Sequence, residues 1–167
     1  MGENDSSAAA LGGARALVRI ARDRHHIDPK TGKLSPARVT LADLRGEPTG
    51  KDPSRRRSFS TFALCSQPLE AIVETARALA KDQDCRDHPK GAAARCEELL
   101  ANEYMGAQAL EIFEEPEASD RPGHVGIRFS EAVRNAGEPV QRIVRDRLIE
   151  VFGAVESIEE LYREHCP

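Results

Sequence analysis

The chain has 167 residues, 40% of them apolar, with no Trp, two Tyr and five Phe. That length suits one domain with or without an arm, and its core must be built from Leu, Ile, Val and Ala. No apolar run approaches the ~18 residues of a transmembrane helix, and a net charge of −4 with few aromatics argues against broad nucleic-acid binding.

The charge is unevenly placed. Residues 1–66 carry 12 Lys/Arg against 7 Asp/Glu, and residues 67–167 carry 12 against 21. The reading is a disordered arm at 1–12, small and polar, followed by one domain over 13–167 that is basic across 13–66 and acidic across 67–167. The opening stretch is acidic and broken by Gly12, Gly13 and Arg15, unlike a secretion signal. Gly2 with Ser6 fits the short myristoylation pattern. Cys65, Cys85, Cys96 and Cys166 include no CxxC pair, so reduced thiols in a cytoplasmic protein are expected.

In chain order, residues 16–27 fit either a short helix or a strand. DPKTG, 28–32, is a turn: Pro29 pre-sets φ and Gly32 closes it. Residues 34–47 are again ambiguous, with Ser35-Pro36 a helix start and Val39 and Leu41 alternating as in a strand. Residues 47–57, EPTGKDPSRRR, form a charged loop, and 58–65 form a strand apolar on both faces. Ser66 is the expected cap of an amphipathic helix reaching about residue 83, and DQDCRDHPKG breaks it. A second helix is expected over 92–104, stopped by Gly106. Residues 107–115 and 124–129 alternate as two neighbouring strands. Ser130 caps a short helix. Residues 139–152 place Val140, Ile143, Val144, Leu148, Val151 and Phe152 on one helix face. Ser157-x-x-Glu160 is a capping box that opens a last helix. Strands and helices come in blocks, which predicts an α+β fold: a small mixed or antiparallel sheet packed on one side by three to four helices.

Several residues could carry chemistry. His25 and His26 are neighbours, so they point apart and do not readily share one metal. Either could act alone as a general base beside Asp23 or Asp28, or simply end an exposed element before the turn. Cys85-x2-His88 has a permitted metal spacing that Cys96 and His124 could complete, but the paired-knuckle spacing is missing and no metal is expected. Cys65 lies between a strand and a helix start, where the helix dipole would favour a thiolate, and it reads first as a buried cysteine. P-loop, GxGxxG and GxSxG patterns are absent, and no cofactor is expected. Lys51, Arg55, Arg56 and Arg57 form a basic cluster: a solvated loop, or a contact for phosphate, nucleic acid or an acidic partner.

Two resemblances follow from these residues. Arg19 or His25, then Ser58-Phe59-Ser60-Thr61, then Glu115-Pro116-Glu117, resemble in order the motif series of ADP-ribosyltransferases. That likeness implies a glutamate stabilising an oxocarbenium-like ribose and a serine orienting it. DPKTGKLSP and EEPEASDRPGHVGI together resemble small bacterial proteins of unassigned function, which implies no activity but draws attention to His124 at a strand start.

The expected function is an interaction or accessory module. Its basic N-terminal half contacts a protein partner, or a second copy through opposite-charge faces. The alternative is a small transferase or hydrolase using His25, His124 and Glu115 or Glu117 in one cleft.

Overall fold

The computed structural model describes residues 16–50, 52, 54–114 and 123–166. The expected arm at 1–12 lies outside them. Residues 16–20 resolve the first ambiguity as a strand, β1 (Ala16–Ile20), four of whose five residues are buried. The DPKTG turn forms as expected: Gly32 takes φ 72° and donates to the Asp28 carbonyl at 2.8 Å. The second ambiguity resolves as helical. A 3-10 turn at Pro36–Arg38 precedes α1 (Leu41–Arg45), which the Thr40 side chain caps by accepting from Asp43 N. β2 (Phe59–Ala63) follows the charged loop.

α2 (Leu69–Leu79) is shorter than its sequence pattern. Its cap is Pro68, which makes no side-chain cap bond, and not Ser66. The segment expected only to break it holds a helical turn of its own, α3 (Gln83–Asp87), where the Asp82 carboxylate accepts from Cys85 N. The helix expected over 92–104 is instead β3 (Lys90–Arg95), followed by the short α4 (Cys96–Leu100). Alanine is the best intrinsic helix former, but propensity is a weak prior and strand pairing overrides it here: five residues of β3 pair with β1, from Ala16↔Arg95 to Ile20↔Gly91. A Cβ on Gly91 would stand 2.5 Å from the Arg19 carbonyl oxygen, so this ladder needs the small residue.

β4 (Glu103–Tyr104) and β5 (Ala107–Gln108) form a tight hairpin in which Gly106 supplies a turn, not a helix stop. β6 (Leu110–Glu114) and β7 (His124–Phe129) pair antiparallel, as their alternation predicts. Ser130 caps α5 (Glu131–Asn135). α6 (Glu138–Phe152) buries Val144, Leu148 and Phe152, but Ile143 is 53% exposed and leaves the predicted face. After β8 (Glu156–Ser157), the Ser157 hydroxyl accepts from Glu160 N at 3.2 Å and starts α7 (Ile158–His165).

The main sheet has the order β6-β7-β2-β1-β3-β8, and each of its ladders is antiparallel. The α+β class read from the block order is therefore the class of the fold. Strand alternation splits the interior in two. One sheet face, with Leu17, Phe59, Ala94 and Ile127, packs on α1, α4, α5 and α6 through Leu44, Leu99, Val133 and Leu148. The other, with Val18, Ile20, Phe62 and Ala93, packs on α2 and α7 through Ile72, Ala76, Ile158 and Leu161. The expected one-sided packing is corrected: the helix expected to reach residue 83 forms α2, which packs with α7 on the face opposite α6, because the central strands are apolar on both faces. No helix among the described residues is long and apolar enough to cross a membrane.

The cysteines correct a further expectation. Cys65, just beyond β2, forms a disulfide with Cys166, just beyond α7, with Cα atoms 5.2 Å apart. Only Cys85 and Cys96 are free thiols. The C-terminal helix is thus anchored at its far end to the exit of a central strand.

Candidate functional sites

The chain leaves β1 through a 3-10 turn, Arg24–His26, closed by Asp23, whose carboxylate accepts His25 N at 2.8 Å. The tight turn puts the tandem histidines in opposite environments. His25 is exposed, whereas His26 is 4% exposed. Burial, and then the nearby Arg19 charge, pull the His26 imidazole down to about 4, so it is neutral near pH 7. Its Nδ1 has no hydrogen-bond partner. Arg19 is itself lowered to about 10, first by burial and then by Arg22, with Asp43 opposing. Its guanidinium lies 4.6 Å from the Phe59 ring centroid and donates to the Ser60 carbonyl at 3.0 Å. Sequence pattern alone did not reveal this polar patch, because nothing in RIARDRHH says which histidine turns inward.

His124 lies elsewhere. It sits opposite Phe62, which in turn pairs with Val18 in β1. Its ring is buried against Phe62, with centroids 5.3 Å apart. β7 begins at His124, while His25 lies past the opposite end of the sheet, five residues beyond Ile20. The structure therefore does not bring His25 and His124 into one cleft. Glu115 and Glu117 lie outside the described residues.

The ADP-ribosyltransferase likeness meets a similar obstacle. Arg19 and Ser60 come from adjacent strands, but the Arg19 side chain lies over Phe59, on the face opposite Ser60. The Thr61 hydroxyl is buried and donates to the Val125 carbonyl at 2.8 Å. Cys65 is consumed by its disulfide, so it is no free nucleophile. Cys85 and His88 precede β3 and Cys96 follows it, separated by a six-residue strand of ~20 Å. Among the described residues, no three His, Cys, Asp or Glu side chains group as metal ligands.

The basic cluster is a built feature. The two limbs of this loop, 47–50 and 54–57, lie against each other: Thr49 N donates to the Arg55 carbonyl at 3.0 Å, and Arg57 N donates to the Glu47 carbonyl at 2.9 Å. Arg128 on β7 clamps the return limb, its guanidinium donating to the carbonyls of Arg57 at 2.7 Å and Arg56 at 3.3 Å. Arg128 also stacks 4.4 Å from the Phe113 ring centroid. Gly46, at φ 68°, makes room for it, since a Cβ there would lie 2.8 Å from Arg128 Cδ. Arg55, Arg56 and Arg57 are all exposed. Arg56 Nε donates to the Gly46 carbonyl at 2.7 Å. The side chains of Arg55 and Arg57 make no hydrogen bond or ion pair among the described residues. Lys51 lies outside them.

The class defined by this geometry is a small α+β protein with a disulfide-anchored C-terminal helix and a clamped arginine loop. Comparison with known proteins adds no closer definition: no family model, no curated protein and no solved structure matches the chain.

Proposed function

We propose that the protein is an interaction module that engages an acidic protein partner through the loop 47–57. One observation carries this reading: Arg128 fixes the backbone under Arg56 and Arg57 while the Arg55 and Arg57 guanidinium groups stay exposed and form no ion pair among the described residues. A fixed loop loses less conformational entropy on binding, and arginine suits bidentate contact with carboxylates. Net charge of −4 supports a protein rather than a nucleic-acid partner. The disulfide supports work in an oxidising compartment instead of the expected cytoplasm.

The test uses a fluorescein-labelled twelve-residue Glu-rich peptide, with duplex DNA of equal charge as comparator, read by anisotropy. Arg55→Ser/Arg57→Ser is expected to weaken peptide binding about tenfold with no change in melting temperature. The triple variant that adds Arg56→Ser also loses the bond to Gly46, so its melting temperature is read beside its binding. Peptide binding that ignores the double substitution, or tighter binding of DNA, refutes the proposal.

A further inference from the structure

Away from the arginine loop, α4 and α6 leave an open trough of about 820 Å³ between them. Its walls are predominantly apolar and include Ala101, Ile143 and Val151. Among the described residues, the large hydrophobic side chains classed as exposed are Ile143, at 53%, and Met105, at 84%. Ile143 lines the trough, and Met105 tips the β4–β5 hairpin that Glu103, another lining residue, begins. An exposed large apolar side chain in the wall of an open groove is a feature of contact surfaces.

The rim is acidic. Glu98, Glu103, Asp146 and Glu150 face a single cation, Arg147. Glu150 is paired with Lys33 and Asp146 with Arg145, but Glu98 and Glu103 form no ion pair among the described residues. Asn102, also lining the trough, is 8% exposed, and neither its side-chain oxygen nor its nitrogen has a hydrogen-bond partner.

We infer that this trough is a docking site for a basic amphipathic helix of a partner protein. Charge complementarity decides the occupant: an apolar floor between carboxylates selects an apolar stripe flanked by Lys or Arg. The loop 47–57 of a second copy carries the right charge but only prolines as apolar residues, so it fits the floor poorly. Ile143 and Val151 lie eight residues apart on α6, or ~12 Å, which matches about two turns of a docked helix. The site stands apart from the arginine loop and has the opposite charge preference. Together they would let one chain bridge an acidic and a basic partner.

The probe is a fluorescein-labelled fourteen-residue Leu/Lys amphipathic helix, with its Leu/Glu counterpart as control, titrated at 150 mM salt. The Leu/Lys peptide is expected to bind and the Leu/Glu peptide not to. Ile143→Asp and Glu98→Lys/Glu103→Lys should each weaken binding tenfold or more. All these positions are solvent-facing, and circular dichroism melts confirm that the variants fold. Arg55→Ser/Arg57→Ser should leave this binding unchanged, which separates the trough from the loop. Binding that the groove variants do not alter, or equal binding of both peptides, overturns the inference. So does a dimer in sedimentation velocity that Ile143→Asp dissolves, since a second copy would then occupy the trough.

Discussion

The Cys65–Cys166 disulfide closes a loop of 101 residues. In the chain-entropy account, cross-linking a loop of that length stabilises the fold by about 4.7 kcal/mol. Its position makes that contribution local as well as global. Cys166 follows α7 directly, and α7 delivers Ile158 and Leu161 into the second core against Val18, Phe62 and Ile72. Opening the disulfide therefore leaves α7 held by packing alone. The perturbation is Cys65→Ser/Cys166→Ser, compared with wild type in the presence and absence of reductant. For a domain of this size, ~2–4 °C per kcal/mol predicts a fall in melting temperature of about 10–20 °C. The chain has no Trp, so the melt is followed by far-ultraviolet circular dichroism or calorimetry. A thiol titration in denaturant checks the premise: two free thiols are expected without reductant and four after reduction. Four thiols before reduction, or a double-serine variant melting within ~2 °C of wild type, refutes the reasoning.

Three further outcomes are expected. His26 has a folded value of about 4, below its ordinary 6.5, so the unfolded chain binds this proton more readily. Its contribution is complete above pH ~6.5 and is lost as pH falls toward 4. The loss is about 3 kcal/mol at full value and about half that after solvent screening. Melts from pH 7.5 to 4.5 should show it, and His26→Gln should flatten the slope; an identical slope in the variant counts against it. Cys85 and Cys96 are each pushed up to about 11, chiefly by burial. The native protein should thus react with iodoacetamide at pH 8 far more slowly than the unfolded chain, and equal rates would contradict this. Gly91→Ala places a methyl 2.5 Å from the Arg19 carbonyl and should cost about 2–3 kcal/mol by denaturant unfolding. An unchanged midpoint would mean that β1 and β3 separate freely.

The parts of this fold that are legible in the sequence are those where one local force dominates. Val144, Leu148 and Phe152 recur at helical spacing because one face of α6 is buried, and the Ser130 and Ser157 caps are satisfied within their own turns. β6 and β7 alternate because one of their faces lines the first core. Ala92–Ala94 misled because alanine carries little pattern: its place in β3 is set by β1, some seventy residues earlier. Ile143 misled because helical spacing gives a stripe, not the width of the neighbour that covers it. The disulfide was hidden for a related reason, since a separation of 101 residues leaves no local spacing to read. Of the candidate sites, the exposure of Arg55–Arg57 followed from composition, but the clamp by Arg128 joins residues 71 and 72 apart. Pairing His25 with His124 failed because sequence order says nothing of which end of a sheet each occupies.

The same disulfide sets a problem of timing. A ribosome delivers Cys65 a hundred residues before Cys166, and Cys85 and Cys96 emerge in the interval. For most of synthesis, the thiol at the exit of β2 has two wrong partners within reach and no right one. In the folded chain Cys85 is buried, which keeps its thiol away from that exchange. The packing of Ile158 and Leu161 brings Cys166 to Cys65, so the right pair is the one that the folded core itself holds together.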